Sequence, residues 1–418
     1  MATDSPIVRP SVRPHPIPGR AGQGALPAIV VILGGVCAAL HVGKLPPAIS
    51  TLQQALGMSL VQAGFLLSLV QLAGMTAGLA FGAMADGLGL RRSMLLGLVL
   101  LALASALGAM VQGIEALLVL RAVEGFGFLL TVLPAPALLR RLVAARRISF
   151  MLGIWGAYMP FGAALALLAG PVWIAALGWR SWWWLLAGVS LAMAGWLAYA
   201  LPSDASRRVT TVPSGTPPAP WRARLAQTLG ARGPWLVAFS FAAYSSQWLA
   251  VIGFLPTIYL QAGIPGAATG ALTALAAAVN IVGNVGSGRL LQRGAHAESL
   301  LALGFVAMGL TAAAAFAGAG GDGLPAWARY AAVLLFSMLG GLIPATLFAL
   351  AVRLAPSEAT ISSTVGWVQQ WSALGQFAGP PLVAWLASRA GGWHWTWLAT
   401  GAVSLLGLML SRLLARAG

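Results

Sequence analysis

A single cysteine, Cys37, excludes both a disulfide framework and a cysteine metal site. Acidic side chains are nearly as scarce. Asp4, Asp86, Glu115, Glu124, Asp204, Glu298, Asp322 and Glu358 are the whole set in 418 residues. Of four histidines only His41 lies clearly inside an apolar run, and no metal-ligand spacing appears. No glycine-rich phosphate loop is present, so neither an ATP-driven pump nor a polytopic membrane enzyme is indicated, and no cofactor is expected. Charged residues make up 8% of the chain, against about 25% in a soluble protein.

What fills the chain is apolar sequence, 59% of it, cut into runs long enough to cross a bilayer. Twelve are legible: Leu26–Ser50, Leu60–Met84, Met94–Gln112, Ala116–Leu139, Ile148–Ala169, Trp182–Leu201, Pro234–Leu260, Ala267–Leu291, Ser299–Ala319, Trp327–Leu350, Thr360–Ala387 and Trp395–Leu414. Hydrocarbon offers no partner to free backbone groups, so such runs are helices or closed barrels. Barrel strands would be half as long and alternating. The expectation is an all-α polytopic membrane protein.

A net charge of +16 would point to nucleic acid in a soluble protein, but its placement here is topological. With the N-terminus inside, nineteen basic residues fall in cytoplasmic segments and three, Arg180, Arg329 and Arg389, on the other side. That bias puts both termini in the cytoplasm. The expected setting is a bacterial inner membrane, with lipid rather than nucleic acid around a monomer. Residues 1–25 are Pro- and Arg-rich without an apolar core, and read as a disordered cytoplasmic tail rather than a signal peptide.

The chain repeats itself. Val42-Gly-Lys44-Leu-Pro46 aligns with Ile252-Gly-Phe254-Leu-Pro256 at an offset of 210, and Leu133-Pro-Ala135 with Ile343-Pro-Ala345 at the same offset. Gly170-Pro171 aligns with Gly379-Pro380 at 209. Two pseudo-symmetric six-helix bundles, 26–201 and 234–418, joined by a Pro/Ser/Arg-rich linker at 202–233, account for this order. Paired halves with a midplane site between them are a transporter architecture.

Between the second and third runs stands Gly82-Ala-Met-Ala-Asp86-Gly87-Leu-Gly89-Leu-Arg91-Arg92. It resembles the loop signature of the major facilitator superfamily, departing at Gly87 and Leu90, where basic residues are usual. Gly288-Arg-Leu-Leu-Gln-Arg-Gly294 is a worn second copy, and Arg121-Ala-Val-Glu124-Gly-Phe-Gly127 is similar to the family's Arg-x-x-Gln-Gly-x-Gly. The resemblance implies alternating access, with Asp86 and Arg91 latching the cytoplasmic ends of the halves. In the fifth run the Gly-Pro pair common in the family's exporters is missing from Gly153-Ile-Trp-Gly-Ala-Tyr158-Met-Pro-Phe-Gly162.

The polar residues inside the runs are few enough to name. Lys44 is the only lysine of the chain, three residues after His41 and so on its helical face. A charge at bilayer depth is costly and tends to be functional; the alternative is that Lys44 snorkels to the nearer surface. Glu124 is the only acid well inside a run, one turn after Arg121. It is read either as half of a static pair or as a coupling group that exchanges Arg121 for Lys44 or His41. In the second half Tyr244, Gln247 and Trp248 share one face, Asn280 and Asn284 another, and Trp367, Gln370 and Trp371 a third. Each alone fits an interhelix hydrogen bond. Together with Tyr158 they suit a solute wall of amides and aromatics. Charge in one half and amides in the other suggest a small organic or inorganic anion held against Lys44, taken up with protons. The pattern loosely resembles the superfamily's cyanate- and nitrate-type importers. A proton-coupled exporter of a drug-like compound is the alternative, and a non-transporting sensor a third reading.

Overall fold

The computed structural model describes residues 25–76, 78, 89–144, 151, 154–203, 221–318, 323–357 and 360–416. The N-terminal tail, Asp86 with most of its loop, and the middle of the linker lie outside the described residues. Within them the fold is all-helical, as a backbone in hydrocarbon requires. In chain order the helices are α1 (Ala25–Gly43), α2 (Ile49–Leu56), α3 (Leu60–Ser68), α4 (Leu90–Met110), α5 (Ile114–Val132), α6 (Ala135–Leu142), α7 (Tyr158–Ala200) and α8 (Trp221–Gly230). There follow α9 (Arg232–Gln261), α10 (Gly266–Ala278), α11 (Asn280–Gln292), α12 (Ala297–Phe316), α13 (Ala326–Gly340), α14 (Leu342–Arg353), α15 (Ile361–Ala390) and α16 (Thr396–Ala415).

Nine helical stretches among the described residues are long and apolar enough to cross a membrane. Three features account for the difference from twelve. Leu60–Thr76 is a shorter apolar helix whose continuation lies outside the described residues. α15 has 30 residues but carries Thr364, Gln369, Gln370, Ser372 and Gln376, and is too polar to count. α7 contains two crossings: 43 residues would extend about 65 Å, twice the roughly 30 Å of hydrocarbon.

The turn inside α7 is Gly178, at φ 81°, a left-handed conformation that glycine adopts without a Cβ clash. Trp173 Nε1 donates to Ser181 Oγ at 3.1 Å, although those residues would stand about 12 Å apart along a straight helix. Packing on α1 gives the same answer. Gly35 faces Tyr158, Gly43 faces Ala163 and Gly170 faces Pro47, a parallel register. Gly34 faces Leu197, His41 faces Ser190 and Lys44 faces Trp183, an antiparallel one. α7 is therefore a hairpin. The sequence assigned residues 170–181 to a loop because Gly170, Pro171 and Arg180 interrupt the apolar pattern; Pro171 nonetheless stays inside the helix, and the reversal is confined to Gly178.

Two seams join the halves. Along Leu60–Thr76, Gly64 faces Pro381, Gln71 meets Gln376 and Gly74 faces Ala373, with Gly78 against Gln370, so this helix runs antiparallel to α15. Gly270 of α10 packs on Leu167 and Pro171 of the first limb of α7. The 210-residue offset carries α3 onto α10 and the first limb of α7 onto α15, so the seams are one pairing used twice. Facing outward, Leu96, Leu103, Leu107 and Met110 of α4 form an exposed apolar stripe, and Leu303, Val306 and Leu310 do the same on α12. In lipid such stripes need no cover; the polar side chains turn inward instead.

Candidate functional site

The charged side chains inside the spans of the first half converge on one buried cluster. Lys44 follows α1 and precedes Pro46 and Pro47, which carry no N–H. The Ala48 N–H goes to the Leu45 carbonyl at 2.8 Å, which leaves the Lys44 carbonyl outside the helix ladder. The Trp182 indole supplies the missing donor at 3.2 Å and holds this corner against the second limb of α7. From it the Lys44 ammonium reaches the Glu124 carboxylate, donates to Ser105 Oγ at 3.1 Å and sits 4.8 Å from the centroid of Trp183. The indole face adds a cation–π attraction that strengthens where water is excluded.

Glu124 stands ten residues into α5, about 15 Å along it and so near mid-bilayer. Arg121, three residues earlier, donates Nη1 to Glu124 Oε2 at 2.6 Å and to the His41 carbonyl at 2.6 Å, and Nε to the Leu66 carbonyl at 3.0 Å. His41 Nδ1 lies 3.6 Å from Glu124 Oε1, while its Nε2 meets Ser190 Oγ at 2.7 Å, which in turn lies 3.4 Å from Cys37 Sγ. Lys44 and His41 are 0% exposed, and Arg121 and Glu124 are each 2% exposed. Two buried polar nitrogens, Arg121 Nη2 and His41 Nδ1, have no hydrogen-bond partner.

With His41 neutral, the cluster holds two cations and one carboxylate, a net charge of +1. In a medium of low dielectric that excess is expensive, and an anion or a shifted proton relieves it. The carboxylate already bridges Lys44 and Arg121, so it has both partners between which the sequence let it switch. Lys44 does not snorkel: it points between α4 and the second limb of α7, into the first bundle.

The second-half residues form a separate, neutral network. Tyr244 OH meets Asn280 at 3.1 Å, Asn280 Nδ2 donates to the Ser337 carbonyl at 2.8 Å, and Asn284 Nδ2 donates to Asn280 Oδ1 at 2.8 Å. Trp248 Nε1 donates to Ser337 Oγ at 3.1 Å, and Gln247 accepts from Ser404 Oγ at 2.8 Å. The network sits where two spans are interrupted, between α10 and α11 and between α13 and α14, with Gly341 against the Asn280 backbone. Gln370 reaches across the seam to the Met75 carbonyl at 2.8 Å, and Gln71 Nε2 donates to Gln376 Oε1 at 3.0 Å. Trp367 packs edge-on against Trp235, and Tyr158 stacks on Trp155 with centroids 4.3 Å apart. The four charged residues are thus brought together, but the second-half amides do not join them. The single constellation expected around Lys44 is two, because Lys44 faces the interior of its own bundle. Arg91 Nη2 donates to the Ala198 carbonyl at 2.7 Å, tying the start of α4 to the end of α7; its expected partner Asp86 lies outside the described residues.

The sequence reading missed Ser105, Ser190 and Trp183 around the cluster, and Gln71 and Gln376 at the seam. Their only signal was polarity inside apolar runs, which dozens of other serines and tryptophans share.

Comparison with known proteins agrees with this architecture. The sequence matches the Major Facilitator Superfamily over residues 31–370, and the chain belongs to that family. Its fold is similar to a bacterial homolog of the human lysosomal transporter Spinster, solved inward-facing and unoccupied, at TM-score 0.76 and 13% identity, covering 95% of this chain and 98% of that one. The same homolog in its inward-facing, occupied form gives TM-score 0.78 at 13% identity, with the same coverage. No curated protein sequence matches the chain. It is a membrane transporter of that superfamily rather than an enzyme.

Proposed function

We propose that the protein takes up a small organic or inorganic anion together with protons. It works by alternating access between the halves 26–201 and 234–418, around the linker 202–233. The observation that carries this is the charge count at Lys44, Arg121 and Glu124. A proton on Glu124 releases both cations, and an anion then restores the balance: with both bound the site holds the same +1 as when empty. A proton alone would raise the buried charge to +2, which is strongly disfavoured, and without the proton the carboxylate occupies both cations and leaves the anion none to bind. Simultaneous loading is symport. His41, hydrogen-bonded to Ser190 Oγ and 3.6 Å from Glu124, is the neighbour through which a proton exchanges.

In this reading Lys44, His41, Arg121 and Glu124 bind and couple. Tyr158, Gln247, Trp248, Asn280, Asn284, Trp367 and Gln370 supply the neutral wall, and Asp86 with Arg91 acts as the latch. Both termini face the cytoplasm of a bacterial inner membrane, and the working unit is a monomer. A screen of anion uptake in sealed proteoliposomes under an inward proton gradient tests it: one-to-one symport is electrically silent, so clamping the potential should leave the rate unchanged. Transport indifferent to proton and sodium gradients would instead mean uniport. One observation favours a second reading, export of a drug-like compound: Trp235, Phe239, Trp367 and Trp371 gather 4.6–5.8 Å apart at the start of α9 and α15. Outward movement of an aromatic compound in the same vesicles would select it.

A further inference from the structure

α15 carries an oddity that the charge cluster does not explain. Thr364 Oγ1, Trp367 Nε1 and Gln370 Oε1 are buried and have no hydrogen-bond partner. They stand at i, i+3 and i+6, within an arc of about 120° on one face. Thr364 is 0% exposed, yet its hydroxyl does not bond back along the helix. The buried helix threonines Thr131, Thr273 and Thr346 do, to the carbonyl four residues earlier at 2.7–2.8 Å, whereas Thr257 shares the unpaired state of Thr364. Buried polar atoms in native proteins are overwhelmingly paired, so three in register on one face call for a partner that the described residues do not supply.

The surroundings define that partner's shape. Trp367 and Trp371 meet Trp235 edge-on at 4.8 and 5.7 Å, and Phe239 meets Trp371 at 4.6 Å. These four rings are only half-buried, so Trp367, one of the three residues with an unpaired polar atom, belongs to an aromatic cluster with some exposure. On the other flank Gln370 is fixed by its amide nitrogen to the Met75 carbonyl, which leaves the oxygen as its free group. The polar atoms also select charge. Trp367 N–H needs an acceptor, which an ammonium lacks, and Gln370 Oε1 needs a donor, which a carboxylate lacks. A single group that carries both, such as a carboxamide, satisfies the pair without the cost of burying a charge.

We infer that this face of α15 is a binding site for an uncharged aromatic carboxamide, its carbonyl accepting from Trp367 and its N–H donating to Gln370, with Thr364 completing the floor. The site lies apart from the Lys44 cluster, although Trp367 and Gln370 also belong to the neutral wall named above; the inference does not rest on the anion reading, because it concerns equilibrium binding to a different ligand class.

The test uses the full chain in detergent, with benzamide and benzoate as probes, read by calorimetry and thermal shift. Benzamide should bind saturably and raise the unfolding temperature. Trp367→Phe, which keeps the ring and loses the donor, should weaken it about tenfold, the scale of one lost hydrogen bond. Thr364→Val should do likewise, whereas Thr364→Ser should retain binding. All three variants keep Gln370 and its seam contact. Lys44→Ala should leave benzamide unaffected, and any benzoate binding should depend on Lys44 instead. Absence of saturable benzamide binding to the wild type, or binding that survives both Trp367→Phe and Thr364→Val, would overturn the proposal and leave these atoms to water.

Discussion

The two halves solve the same packing problem with opposite chemistry. At the repeat offset of 210, His41 corresponds to Val251, Lys44 to Phe254, Arg121 to Ala331 and Glu124 to Leu334. Phe254 is 0% exposed and packs on Trp393 with centroids 5.0 Å apart, so the second half closes the place of Lys44 with a ring. The polar groups the second half does bury are neutral and mostly satisfied, as in Tyr244, Asn280 and Ser337. The architecture therefore does not need ions. Buried ion pairs are often replaceable by apolar residues at no cost, or with a gain of about 1–4 kcal/mol. A cluster that the fold can do without, and that costs stability, is where function is to be sought.

The comparison breaks most sharply at Glu124. Glu124→Gln leaves Lys44 and Arg121 buried without a counter-charge, and such a loss costs about 3–5 kcal/mol. Thermal unfolding in detergent should drop by many degrees, and a small anion should restore more stability to this variant than it adds to the wild type. The second change transplants the other half's chemistry: His41→Val, Lys44→Phe, Arg121→Ala and Glu124→Leu together. This fourfold variant should be at least as stable as the wild type, gaining up to about 1–4 kcal/mol, and should not transport. A fourfold variant far less stable than the wild type would show that the cluster is structural after all.

Smaller effects sharpen the contrast. Asn280→Leu removes a neutral centre and strands Tyr244 and Asn284, at a cost of about 1–3 kcal/mol read by thermal unfolding in detergent. Gln71→Leu leaves Gln376 without its partner across the seam and should shift the balance of conformations by about 1 kcal/mol, read as a change in turnover with intact binding. Lys44→Arg should matter least among the charge changes for binding. It keeps the cation but loses the compact head, so the response of transport between pH 5 and 8 should change.

Much of this was legible because it was rare. One lysine and one intraspan acid stand out in an apolar chain, and the i,i+3 spacing of Arg121 and Glu124 pairs them without any fold. What could not be read was direction. Whether Lys44 faces the path between the halves or the interior of its own bundle depends on how α1 packs between the limbs of α7, and that is set by small residues such as Gly34, Gly43 and Ala163. The hairpin at Gly178 was blurred for a similar reason. Gly170 and Pro171 looked like the break, whereas Gly170 serves the close approach of Pro47. α15 was recognised as a span from its length even though its glutamines make it the least apolar of the twelve; two of them, Gln370 and Gln376, meet the other half.

The most direct measurement is anion uptake into sealed vesicles, with and without an inward proton gradient, for the wild type and Glu124→Gln. Charge balance at Lys44, Arg121 and Glu124 requires the gradient to accelerate the wild type and to leave Glu124→Gln unaffected, while the variant still exchanges anion for anion. A Glu124→Gln protein that still responds to the proton gradient would contradict the account, and coupling would have to be sought outside this cluster.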